Sequence, residues 1–559
     1  MAALGSLLLA SLTVVRLATL VAGDDSADVC PAGGDCAGVG GAPGASKYHW
    51  PHARGWPMGG GNSPHSFGEW PCNLQSKVAW SWTPPSGKYS NTGVQAPVID
   101  ADRNLYVGVE DSVRKFSPDG HVIWTFQMPP NLKPYLQPGG TFLRNNPALI
   151  DGLLVASSTD GRAFALNMDN GELVWNVSVT ETRCIGPDFG AVVAAEGVVI
   201  GDAECPDPPW HRNNKIYALN ATDGSHLWDF RPDIGVWNFL PHFLGDGTVA
   251  IQTWDGGVYH LRVKDGSVIW HAKGGGRDSW TDGGPALGPG GLFFTVRSSA
   301  PQTQANAGKP GFLDAYNLTA QKRLWSVALE QTPYTYPAVG RLREGGPLMV
   351  VTGVGSLPGM PVAIHAILGV ASGAPPVGLL IFVLWSGLAA FCGRSTGGKS
   401  RRRCCHRCCG RFFIACLLGA TYGTCDSLYR AGKVFKNSVQ AFDVETGKLQ
   451  WRYDLPDWRW TAAAGDDAGF FQRIWHKRTF ICLPLASSYA TLDAQGIFYM
   501  GHMDGRLYAI QDRDGDGRIQ EESEVCSFDT GGAFSSQGPV LVPGLMAVGT
   551  CDSLFVFKK

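Results

Sequence analysis

Apolar side chains along this chain come in short bursts separated by turn residues, and the bursts recur. A unit opens on a proline followed by two apolar residues: Pro97-Val98-Ile99, Pro147-Ala148-Leu149, Pro285-Ala286-Leu287, Pro337-Ala338-Val339 and Pro539-Val540-Leu541. A β-rich run such as Leu105-Tyr106-Val107-Gly108 follows, then an Asp-Gly turn, as at Asp160-Gly161, Asp255-Gly256 and Asp504-Gly505. Asp-Gly between apolar runs is a strong local hairpin signal, because the tight turn needs positive φ. Units close on Gly and Trp four residues apart: Gly120/Trp124, Gly171/Trp175, Gly224/Trp228, Gly266/Trp270 and Gly447/Trp451. In four units an Ala stands ten residues before the Trp, at Ala165, Ala218, Ala315 and Ala441. The pattern predicts four short antiparallel strands per unit.

One such sheet cannot bury both faces alone. Stacking it against copies of itself can, and closing the stack into a ring protects the sheet edges. Trp124, Trp175, Trp228, Trp270 and Trp325 are 42 to 55 residues apart, the period of a propeller blade. The expected fold is therefore all-β, an eight-bladed β-propeller of four-stranded antiparallel sheets. Blades one to five end at these tryptophans and blade six at Trp451. Blade seven contains Leu507–Ile510, with Ile519 at the tryptophan position. Blade eight takes three strands from Pro539–Phe557 and its outer strand from Val78–Trp82, which joins the two ends of the ring in one ladder. Trp124, Trp175, Trp228, Trp270, Trp325 and Trp451 are expected as structural wedges, since a residue repeated in every unit serves the repeat.

Composition narrows the function. Lys and Arg total 46 against 48 Asp and Glu, too even for a phosphate-neutralising face, so no nucleic-acid partner is expected. A 44% apolar share with 11% aromatics excludes disorder for most of the chain. Residues 1–23 hold one charge, Arg16, and end on Val21-Ala22-Gly23, the pattern of a cleaved secretory signal. Residues 24–70 read as a leader. The expectation is an extracellular or lumenal protein whose cysteines can pair. Cys30 with Cys36 and Cys184 with Cys205 are the best local pairs by spacing, although spacing does not settle connectivity. Asn176, Asn220 and Asn317 open glycosylation sequons.

The repeat units resemble those of the pyrroloquinoline-quinone-like propeller family, the quinoprotein alcohol dehydrogenase-like superfamily, over about residues 70–355 and 420–558. That resemblance implies the propeller and leaves two functions open. Its dehydrogenases carry quinone (PQQ) and Ca²⁺ on the central axis, with a vicinal cysteine pair in a propeller loop; other members are binding propellers. Adjacent cysteines occur here only at Cys404-Cys405 and Cys408-Cys409, outside any blade, and no residue stands out as a catalytic base. The expected function is a non-catalytic scaffold, monomeric, binding a protein or small ligand at the propeller faces. The alternative is a PQQ- and calcium-dependent oxidoreductase.

Asp512-Arg513-Asp514-Gly515-Asp516-Gly517-Arg518-Ile519 has calcium-loop spacing. Alternate carboxylates converge on a hard cation, Gly517 permits the bend, and the Arg518 carbonyl adds a ligand. The twelfth position is Ser523, so Glu522 is the nearest expected carboxylate before it, with Glu524 beyond. The candidate ligands are Asp512, Asp514, Asp516, Arg518 and Glu522.

Trp325 and Trp451 are 126 residues apart, so blade six carries an insertion, placed at 356–419 between propeller segments 71–355 and 420–559. It contains 16 uncharged residues, Val377–Cys392, just short of a spanning helix. Seven Lys and Arg follow between Arg394 and Arg411. Both flanks belong to one propeller, so any crossing must be even-numbered. Three readings stay open: membrane contact through 356–422, a disordered loop, or a retained intron.

Overall fold

A computed structural model describes residues 70–129, 143, 145–181, 190–204, 213–281, 284–300, 309–333, 335–343, 345–356, 361, 434–460, 462–476, 478–479, 482, 486–534 and 538–559. The expected signal and nearly all of the expected leader, residues 362–433 with most of the insertion expected at 356–419 and the vicinal cysteine pairs, and Cys30, Cys36, Cys184 and Cys205 lie outside these residues.

Eight four-stranded antiparallel sheets form an eight-bladed β-propeller. Blade one is typical, with Val98–Ile99 innermost, then Leu105–Val109, Ser112–Phe116 and Val122–Gln127 outermost. Inner strands are buried on both faces, whereas outer strands alternate, as in the pattern of Leu173–Ser178. Blade eight has Val540–Val542, Leu545–Gly549 and Leu554–Lys558, with Val78–Trp82 as its outer strand, so the ring closes by pairing chain segments remote in sequence.

The Gly-x-x-x-Trp spacing has a physical origin. Gly171, Gly224, Gly266 and Gly447 sit in the turn between third and fourth strands at φ near +70°, where side chains are strained. Each lies against the indole of the preceding blade; a Cβ on Gly224 would stand 2.7 Å from Trp175. The indole N–H of Trp175 donates to the Ala221 carbonyl at 3.0 Å, that of Trp228 to Val263 at 2.7 Å, and that of Trp325 to Val444 at 2.8 Å. Ala218 pairs with Trp228 across the blade, which explains the ten-residue interval. A bulge beside each pairing twists the edge strand. Trp80 completes the set for blade eight, donating to Pro118 and stacking on Gly120. In blade five Gln321, at φ 52°, replaces the glycine.

Blade seven departs from expectation. Its outer strand is Val525–Asp529, and Ala509 pairs with Cys526, not with Ile519. The turn before it is longer than in the other blades and contains the short helix Glu521–Glu524, which displaces the strand along the sequence. Cys526 is disulfide-bonded to Cys72, just ahead of the closing strand. Where the other blades place a wedge, blade seven thus holds a covalent link to blade eight.

Antiparallel order puts two kinds of segment at one end of the ring: the turns between second and third strands, and the connections from an outer strand to the next inner one. The longest such connection among the described residues is 455–490, between blades six and seven. The insertion leaves from Gly355 and returns ahead of Asn437 at this same end. The calcium-loop motif lies at the opposite end.

Candidate functional site

Two features stand outside the repeat. The first is the 511–524 turn of blade seven. Carboxylate oxygens of Asp512, Asp514 and Glu524 lie within 4.8 Å of one another. The backbone organises them: Asp512 accepts from the Gly515 and Gly517 N–H groups, at 2.8 and 3.2 Å. Gly515 and Gly517 both have φ near +77°, as the double bend requires. Glu524 is buried and accepts from the backbone of Arg513 and Gln520. Partial burial lifts the Asp512 carboxyl above its usual range, and the nearby Glu524 charge adds to the effect. A hard cation would relieve that crowding. Asp516 instead accepts from the Arg518 N–H at 2.7 Å, and neither it nor the exposed Glu522 belongs to the converging group. Glu524 was legible only as a neighbour of the twelfth position; the helical turn Glu521–Glu524 swings it inward. Trp451 and Gln450 of blade six border the same loop in a groove with Arg343.

The second feature is the 455–490 connection at the other end. Its helix, Asp466–Trp475, follows Gly465 at φ 83° and carries Asp466 and Asp467 in the first turn, where the helix dipole favours anions. Asp466, Gly469, Phe470 and Arg473 form the buried stripe. Arg473 is fully buried and donates to Asp466 at 2.5 Å. The same carboxylate accepts the Cys482 N–H at 3.1 Å, and Cys482 is disulfide-bonded to Cys551 in blade eight. Further along, Arg478 bonds the Ser90 carbonyl and pairs with Asp111 of blade one. Burial raises the neighbouring Asp552 carboxyl, although Ser553 and Lys88 pull the other way. The connection is therefore riveted across blades seven, eight and one. The opposite stripe, Phe471, Ile474 and Trp475, faces outward.

Of the sequon residues, Asn176 is exposed on an outer strand and bonds Arg162, while Asn220 and Asn317 use their side-chain oxygens to build turns. The four described cysteines are all spent in long-range disulfides, so none forms a vicinal pair.

Comparison with known proteins bears on the fold. Tetrathionate hydrolase of Acidithiobacillus ferrooxidans is 26% identical over 147 residues, covering 24% of this chain and 29% of that protein. This chain thus matches under a third of that relative's length. The crystal structure of quinohemoprotein alcohol dehydrogenase from Comamonas testosteroni superposes with a TM-score of 0.52 at 14% identity, covering 97% of this chain and 84% of that one. BamB from Moraxella catarrhalis gives a TM-score of 0.47 at 12% identity, over 86% and 99% of the two chains. The family described as outer membrane protein assembly factor BamB matches residues 76–202 and 186–355, a continuous half of the sequence. With its repeat matched over that span and its eight blades in place, the chain belongs to the PQQ-like repeat β-propeller family.

Proposed function

We propose that this protein is a non-catalytic binding scaffold of the secretory pathway, and that its working surface is the end of the ring bearing the 455–490 connection. The observation that carries this reading is the helix Asp466–Trp475: it is locked from below by a buried ion pair and a disulfide, yet turns large apolar side chains outward. Rigid support beneath an exposed apolar stripe is what a recognition surface needs. Membership in a family named for an assembly factor supports binding over catalysis. The two disulfides support an oxidising compartment, where such bonds persist. The test opposes the scaffold to its enzymatic alternative: purified protein given quinone, Ca²⁺ and primary alcohols is expected to retain no chromophore and to reduce no dye. Alcohol-dependent dye reduction would replace the scaffold with an oxidoreductase.

Calcium, in this reading, braces blade seven. Asp512, Asp514 and Glu524 would hold it at the turn whose outer strand carries Cys526. Binding of a ligand to the folded state alone at about 100 times its Kd stabilises by about 2.7 kcal/mol. Calcium is therefore expected to raise Tm by a few degrees over chelator, and Asp514→Ala to abolish the rise. Identical melting in calcium and in chelator refutes a bound ion.

A further inference from the structure

We infer that the outward stripe of the helix Asp466–Trp475 docks on a lipid bilayer. The inference rests on the binding-face reading above and names the occupant of that face. Among the described residues, large exposed apolar side chains fall into two sets. One set lies on outer strands one or two positions before the tryptophans, such as Ile123 and Val174, where bulged, twisted edges limit pairing. The other is Phe471, Ile474 and Trp475, exposed by 47, 47 and 83%. Their spacing of three and four places them on one side of the helix. An exposed apolar stripe ending in tryptophan suits the headgroup level of a bilayer, where aromatic side chains concentrate.

Two positional facts select lipid over another protein. The apolar insertion leaves the propeller after Gly355 and returns before Asn437, on this same end of the ring. Its return lies beside the helix: Phe435 is buried with Ala463 and Cys482, and it pairs with Trp458 in the connection leading to Asp466. The sequence between these points holds the uncharged run Val377–Cys392, which water does not solvate well. An uncharged run of that length, tethered at both ends to the face that carries the stripe, favours a lipid surface as the occupant of the stripe.

Position 475 in the full-length protein, with its disulfides intact, is replaced by benzoylphenylalanine and irradiated on phosphatidylcholine vesicles containing a clickable phospholipid. Position 123 is the control. We expect a lipid adduct at 475 and none at 123. The triple variant Phe471→Gln, Ile474→Gln, Trp475→Gln keeps good helix formers, and its vesicle partition is expected to fall about tenfold or more as apolar burial is lost. Unchanged near-ultraviolet dichroism establishes that it folds. Failure of 475 to label lipid, equal labelling at 123, or unchanged partition of the folded triple variant overturns the bilayer. A protein adduct at 475 in place of lipid also overturns it, while leaving the binding-face reading intact.

Discussion

Trp228→Ala is expected to destabilise the propeller by about 3–5 kcal/mol, the range for deleting a buried tryptophan or phenylalanine side chain. The indole is buried between blades three and four, lies on Gly266, and donates to the Val263 carbonyl. Its removal opens a cavity where the outer strand of one blade grips the turn of the next. Neighbouring blades cannot collapse into that space, because blade three is held on its far side by Trp175 and blade four by Trp270, which packs edge-on against Tyr316. Denaturant melting reads the loss. Trp475→Ala serves as the comparison, since exposed substitutions away from structural features stay within about 0.5 kcal/mol. Equal losses at the two positions refute the wedge.

Asp466→Ala is expected to cost a similar amount, about 3–5 kcal/mol, because it leaves the Arg473 charge buried without its partner. The Tyr89 ring at 5.7 Å and the charge of Asp552 remain near the guanidinium, but neither replaces the direct bond to Asp466. The second change Arg473→Met removes the stranded charge while keeping bulk. The double variant is therefore expected to recover much of the stability lost by the single one, a non-additivity that a double-mutant cycle reads directly. Additive losses would show that the pair is not coupled.

How much of this was readable beforehand follows from what the repeat constrains. Blade count, strand order and closure by Val78–Trp82 were legible because the same contacts are written eight times with small variation. Trp80 passed as strand filler because no glycine precedes it by four; its glycine partner, Gly120, belongs to the next blade. Ile519 was misplaced because the ten-residue interval fails where a turn carries extra residues. The calcium-type motif announced Asp512 and Asp514, but Glu524 converges through a helical turn that spacing alone does not show. The helix Asp466–Trp475 went unread, although the long interval after Trp451 and the spacing of Phe470, Phe471, Ile474 and Trp475 were both available. Disulfides between residues as remote as Cys72 and Cys526, 454 positions apart, are fixed by ring geometry rather than by local sequence.

That remote ladder sets a timetable for biosynthesis. Residues 78–82 emerge early from the ribosome but find their partner only when 554–558 arrive. At about 5–20 residues per second, the wait is on the order of half a minute to a minute and a half. Throughout it the nascent protein is an open arc with two raw sheet margins, and Cys72 is a loose thiol before Cys526 exists. Holding that arc apart from its neighbours falls to whatever chaperones meet it during translation.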